Sequence, residues 1–198
     1  MTRQDNLSEI VRWFDESVLL VQSLQADQIL HSSILEAAEI LSLTARKGSK
    51  ILIFGNGGSA AQAQHFVAEL VCQFRKKRRA IAAIALTTDT SIITAQSNDS
   101  GFSSVFSRQI EALCRSGDVV VGLTTSDVSE DHSKNIENGF LFARKQGAIT
   151  IGLFSEKTKN LLRLVDVPVI VPHSDTARIQ EAHQTIIHLL CDQIERDL

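Results

Sequence analysis

Ile51-Leu52-Ile53-Phe54-Gly55-Asn56-Gly57-Gly58-Ser59 is the stretch on which the fold turns. Four apolar residues in a row, rich in Ile, read as a strand buried on both faces. The glycines that follow let the backbone turn tightly and approach a ligand closely. A helical pattern opens from about Ala60, so strand, glycine loop and helix N-terminus follow in order. Free N–H groups and the dipole at such a helix start favour an anion, and Ser59 adds a hydroxyl donor. A tight strand-to-helix turn with no ligand explains the same glycines. Their spacing does not match the dinucleotide fingerprint.

Outward from this stretch, four more short apolar runs occur at Ile81–Leu86, Val119–Leu123, Ile149–Phe154 and Val167–Val171, separated by helical patterns. Five such strands alternating with helices predict an α/β protein, with a doubly wound five-stranded parallel sheet flanked by helices. Before the first strand, Leu7, Ile10, Val11, Phe14, Val18 and Val21 recur at helical spacing, with Asn6 as the expected cap. Leu30, Ile34, Ala38 and Leu41 mark a second helix that ends near Gly48. After the last strand, Thr176–Leu198 predicts a long helix with Ile179, Ala182, Ile186, Leu189 and Leu190 inward. The whole chain, 1–198, reads as a single domain, with 1–48 as helices packed on an α/β core of 49–198.

A charged fraction of 22% beside 43% hydrophobic residues is that of a soluble globular protein. The net charge of −3 gives no global field to draw the chain to nucleic acid or anionic lipid. With no Tyr and one Trp, few side chains are available for base stacking. No apolar run approaches the roughly 20 residues that span a bilayer, and the N-terminus does not read as a signal peptide. Cys72, Cys114 and Cys191 are isolated and odd in number, so the expectation is three buried thiols in a reducing, cytoplasmic setting. The run Arg75-Lys76-Lys77-Arg78-Arg79 reads as a solvated loop, with a positive field at a site mouth as the second reading.

In open parallel sheets, ligands bind beyond the carboxyl ends of the strands. Besides the glycine loop, Thr124-Thr125-Ser126-Asp127-Val128-Ser129 occupies such a position. Four hydroxyls in six residues suit a phosphate, or the cap of the next helix. Asp127 opposes an anion: a carboxylate about 6 Å from a phosphate costs roughly 3 kcal/mol per unit charge at an effective dielectric near 20. A bound phosphate therefore requires Asp127 to point away. On the helix after the glycine loop, His65 and Glu69 stand four apart on one face and can converge on one atom. Solvated helices often carry such pairs. The last helix carries Gln180, Glu181, His183 and His188; its two histidines lie about 140° apart, so one of them at most faces a given site.

Taken together, these segments resemble the phosphoheptose isomerases of the sugar isomerase (SIS) fold family. The likeness rests on Gly55 to Ala61, Ala63-Gln64-His65-Phe66, Ala68-Glu69-Leu70, Asn98-Asp99, Gly101-Phe102, Val105 to Gln109, Gly117-Asp118-Val119, Thr176 to Glu181 and Ile187-His188, over essentially the entire chain. It implies a flavodoxin-like sheet and isomerisation of sedoheptulose 7-phosphate to an aldoheptose 7-phosphate that feeds a surface glycan such as lipopolysaccharide. By the same resemblance Glu69 is the base and His188 its acid–base partner, while His65, Glu69, Gln180 and His188 hold one zinc ion. Asn56, Gly57, Gly58, Asn98, Asp99 and Gln180 line the sugar, and Ser59, Thr124, Thr125, Ser126 and Ser129 hold the phosphate. A homotetramer with sites at subunit interfaces, built through the long first and last helices, is also implied.

The chain departs from the family pattern where Asp127 and Val128 replace Gly and Asn, and where Gln62 replaces a frequent acidic residue. A non-catalytic relative, either a phosphosugar-binding regulator or a replication-initiator-associating protein, is the alternative. Retention of both Glu69 and His188 favours the enzyme.

Overall fold

The computed structural model describes residues 2–130 and 132–198. The elements run α1 (Arg3–Ala26), α2 (Gln28–Lys47), β1 (Ile51–Gly55), α3 (Gly58–Val71), β2 (Ala83–Ala85), α4 (Thr90–Ser100), α5 (Val105–Leu113), β3 (Val119–Leu123), α6 (Lys134–Lys145), β4 (Ile149–Ser155), β5 (Val167–Val171) and α7 (Thr176–Asp197). All sheet pairings are parallel, in the order β2-β1-β3-β4-β5. That order is the flavodoxin-like doubly wound arrangement, whose switch point lies between β1 and β3.

The expected strand bounds hold for β3 and β5, and β1 and β4 each run one residue further. Only Ala83–Ala85 of the run Ile81–Leu86 forms ladder. The flanking Ala82 carbonyl and Leu86 N–H still bond β1, at Ile51 and Ile53, while the Ile81 N–H turns to the Leu70 carbonyl of α3. Alternating residues divide the core in two. Ile51, Ile53, Val119, Val121, Ile151, Leu153 and Val169 face α2, α3 and α7. Leu52, Phe54, Val120 and Phe154 face α5 and α6.

Helix α1 starts at Arg3 rather than after Asn6. Thr2 and Asp5 form a reciprocal capping box, which satisfies the first free N–H groups four residues earlier than expected. Helix α2 ends at Gly48, whose φ of 74° closes the turn in the left-handed region. The apolar face expected on α1 exists but is left largely uncovered by the described residues. Leu20 is its buried residue, while Ile10, Val11, Phe14, Val18 and Val21 are exposed. Leu189, expected inward on α7, is also exposed. Cys114 and Cys191 are buried as expected, but Cys72 caps the end of α3 and is exposed.

The basic run at 75–79 is not simply a solvated loop. Arg75 is exposed, whereas the Arg78 side chain is 9% exposed and paired with Glu195 of α7. Among the described residues, no helix is long and apolar enough to cross a membrane.

Candidate active site at the β1/β3 switch point

Gly55 of β1 pairs with Leu123 of β3, so the loops after these strands leave the sheet side by side. The first loop turns at Gly57, whose φ of 54° and ψ of −121° would strain a residue bearing Cβ, and helix α3 begins at Gly58. Ser59 is buried in the first turn. Asn56 exchanges two amide hydrogen bonds with Asn135 of α6, at 2.9 and 2.8 Å. This pair ties the glycine loop to the helix that follows the hydroxyl loop. Asn135 escaped the sequence reading, because a buried Asn within a helix has no local signature.

In the second loop, Thr124 Oγ1 accepts from the Ser126 N–H at 3.2 Å and donates to the Ser126 carbonyl at 3.0 Å. The Thr125 carbonyl accepts from Ser155 Oγ. Ser129 is exposed and further along. Asp127 does point away: its carboxylate accepts from the Asn160 and Leu161 N–H groups at 2.9 to 3.3 Å and from the Asn160 side-chain amide at 3.1 Å. Burial works against the charged form, but the N–H groups of Asn160, Val128, Lys159 and Leu161 outweigh it and hold the carboxyl below its ordinary range. The charge serves as a cap for the turn at 161–164 and leaves the hydroxyl cradle free.

Helices α3 and α7 lie side by side. The Gln62 side chain donates to the Gln180 carbonyl at 2.7 Å, and the Gln180 amide lies against Gly58. Further along, His65 Nε2 and His188 Nε2 are 2.9 Å apart, so one donates and the other accepts. Glu69 Oε1 is 3.6 Å from the same His65 nitrogen. Gln184 reaches His188 Nε2 at 3.1 Å, and the Phe74 ring stacks on the His188 imidazole at 5.4 Å. A carboxylate from one helix and an imidazole from another thus meet around one atom. Asn98 and Asp99, by contrast, lie exposed on α4 and bond to each other; among the described residues no hydrogen bond joins them to the two loops.

Of the two α7 histidines, His183 faces the core. It is fully buried, its Nε2 bonds the Phe154 carbonyl at 3.0 Å, and its Nδ1 has no partner among the described residues. Burial pushes its pKa down to about 4, only partly opposed by that hydrogen bond. The unfolded chain therefore takes up this proton near pH 6.5 and the native chain only near pH 4. Stability should fall as pH drops through that window, by about 3 kcal/mol at its foot. Chemical denaturation at pH 7 and pH 4.5 should show the loss in the parent and a reduced loss in His183→Gln.

The SIS domain model matches residues 12–155. A phosphoheptose isomerase of Geotalea daltonii is 53% identical over 171 residues, which span 86% of this chain and 87% of that protein. One from Trichlorobacter lovleyi is 46% identical over 96% of this chain and 94% of its own. The chain belongs to the phosphoheptose isomerase family. The solved phosphoheptose isomerase from Neisseria gonorrhoeae superposes with a TM-score of 0.87 at 39% identity, covering 96% of this chain and 98% of its own. That from Francisella tularensis gives 0.88 at 33% identity, covering 99% and 100%. For a phosphoheptose isomerase fold, the β1/β3 switch point is where the general rule for open sheets puts a ligand.

Proposed function

We propose that the chain interconverts sedoheptulose 7-phosphate and D-glycero-D-manno-heptose 7-phosphate through an enediol. The observation that carries this is the meeting of Glu69 and His188 at His65 Nε2, on the helix that the glycine loop opens, with a hydroxyl loop leaving the sheet next to that loop; both loops suit a phosphorylated sugar. Relatives at 46–53% identity named phosphoheptose isomerase support the same substrate. A non-catalytic phosphosugar-binding role would not need that convergence.

In this reading the 7-phosphate sits in the hydroxyl cradle of Thr124, Thr125, Ser126 and Ser129 with Ser59, and Asn56, Gly57, Gly58 and Gln180 line the sugar chain. Glu69 removes a proton from C1 of the ketose as the C1–C2 double bond of the enediol forms. His188 gives a proton to O2 as the carbonyl electrons move onto it. In the second half Glu69 returns its proton to C2, and His188 recovers one from O1 as the aldehyde forms. The exchange is redox-neutral, and both residues end as they began. The main barrier is the developing negative charge on oxygen, which a positioned proton donor offsets.

His65, Glu69 and His188 form a chemically suitable donor set for zinc, with a position left open. The Nε2 separation of 2.9 Å is a few tenths short of the roughly 3.3 Å edge of a tetrahedral zinc site, so the two rings would part slightly on binding. Gln180 stands apart from these three within the chain, about 12 Å from His188 along α7. Among the described residues, no three His, Cys, Asp or Glu side chains already stand as a metal cluster. When bound, zinc would polarise the substrate carbonyl and offset charge on its oxygen.

The exposed apolar face of α1 supports a homotetramer, since such a face on a lone chain is unfavourable in water. In the tetramer Asn98 and Asp99 of one subunit would complete a site shared with another. We place the protein in the cytoplasm, supplying heptose for a surface glycan such as lipopolysaccharide. Incubation with sedoheptulose 7-phosphate and detection of the aldose phosphate tests the activity directly; no aldose at high enzyme concentration would overturn it. Prolonged chelation should lower turnover about 10-fold or more, with zinc restoring it. Full turnover after removal of metal, verified by elemental analysis, would remove zinc from the reading.

A further inference from the structure

Behind the His65–Glu69–His188 cluster lies a buried charge network that the isomerase reading does not use. Glu195, two turns beyond His188 on the same face of α7, is 3% exposed. Its carboxylate accepts from three successive backbone N–H groups: Phe74 at 2.9 Å, Arg75 at 2.8 Å and Lys76 at 2.8 Å. It also accepts from Arg78 Nε at 2.9 Å. The other two guanidinium nitrogens of Arg78 donate to the carbonyls that end α3, Leu70 at 2.9 Å and Glu69 itself at 2.7 Å.

One carboxylate therefore fixes two things. The loop it gathers presents Phe74 to the His188 ring, with centroids 5.4 Å apart and planes 21° from parallel. The arginine it neutralises grips the backbone of the residue that carries the carboxylate of the pair. A loop held only for compactness would not need its one aromatic ring against His188. Three consecutive N–H groups converging on an anion form a rigid nest, which suits a positioning task. Lys76 Nζ adds a bond to the Glu195 carbonyl at 3.1 Å, and Arg75 lies over the Phe74 ring at 5.0 Å.

We propose that Glu195 is a positioning residue for the isomerisation: it seats Phe74 against His188 and, through Arg78, anchors the backbone of Glu69. This rests on the isomerase reading, in which Glu69 and His188 exchange protons with the sugar. Reactions of this kind are sensitive to misplacement of about 1 Å, which costs up to about 100-fold in rate.

The test uses the full chain. Glu195→Gln keeps the volume but loses the charge and one acceptor oxygen, Glu195→Asp keeps the charge, and Phe74→Leu leaves the carboxylate network intact. The expected result for Glu195→Gln and Phe74→Leu is a kcat lowered about 10-fold with KM within about twofold, and partial recovery in Glu195→Asp. The ring protons of His188, assigned by their loss in His188→Gln, should move downfield in both variants as the stacked ring departs.

Parental kcat and unmoved His188 signals in Phe74→Leu would overturn the proposal. So would a Glu195→Gln protein that melts earlier yet turns over at the parental rate, leaving Glu195 a purely structural residue. If the parent chain isomerises no heptose phosphate, the isomerase reading falls, while the His188 signals still decide whether Glu195 and Phe74 set that ring.

Discussion

Glu69→Gln is expected to fold, bind the sugar phosphate and fail to turn it over. The substitution keeps the size and one acceptor oxygen of the side chain but removes its ability to take a proton at neutral pH. General acid–base catalysis contributes about 10²- to 10⁴-fold, so kcat should fall by that factor, about 3 to 5 kcal/mol on the barrier. Little stability should go with it. Glu69 is part-exposed, and its 3.6 Å pair with a part-exposed His65 belongs to a class worth about 0–1 kcal/mol. Its backbone carbonyl, which Arg78 holds, is untouched by the change. A thermal melt within a few degrees of the parent, substrate binding near the parental affinity and kcat lower by 100-fold or more is the expected set. Parental kcat would take the base role away from Glu69. Loss of binding together with kcat would mean that the carboxylate chiefly holds the substrate.

The sheet was legible because strands covered on both faces are largely apolar: β1 and β3 are buried at every position, and the expected run of β4 carries one polar residue, Thr150. In β2 the run is apolar throughout, yet only three residues form ladder and Ile84 is exposed, so apolar content there does not track pairing. The start of α1 was misplaced because Asn6 and Thr2 are both good caps; the reciprocal bond from Asp5 decides between them. Within the site, the His65–Glu69 pair could be read from i, i+4 spacing. The choice between His183 and His188 could not, since helical period gives relative angles but not which face meets the core.

Residues that act across long separations were beyond reach. Asn135 meets Asn56 across 79 positions, and Glu195 meets the 74–78 loop across some 120. In each case the sequence shows only an ordinary polar residue in a helix. The basic run looked solvated because five successive cations usually are; Arg78 is the exception, since Glu195 cancels its charge inside the fold. Asp127 entered the sequence reading as a condition: a bound phosphate requires it to turn away. Its partners at 160 and 161 show how it does so.

Gly58→Ala is expected to leave the protein stable and nearly inactive, and the reason lies in what the new methyl would strike. At Gly55 an added Cβ would come within 2.8 to 3.0 Å of Ser59 Cβ and the Ser59 and Leu123 carbonyl oxygens, atoms fixed by the first turn of α3 and by the sheet. At Gly58 it would overlap the Gln180 amide, with Cδ at 2.7 Å. That amide is the far end of a flexible side chain and can swing aside at small cost. Gly58 opens α3 without a positive φ, and alanine is the better helix former, so the backbone itself loses nothing. Stability should change by less than about 1 kcal/mol.

The displaced group, however, is one of those proposed to line the sugar, and its neighbours leave it few alternatives. Gln62, buried beside it, already bonds the Gln180 carbonyl and keeps the α7 backbone in place, so the side chain alone must move. An amide forced away by an ångström or more should lower kcat/KM about 10- to 100-fold. Gln180→Ala in the Gly58→Ala background should then cost little beyond the single change, because both remove the same group. Full activity in Gly58→Ala with a parental melt would show that the Gln180 amide is not needed where it lies. A large loss of stability would instead mean that α7 cannot yield, and that the glycine is there to let the two helices approach.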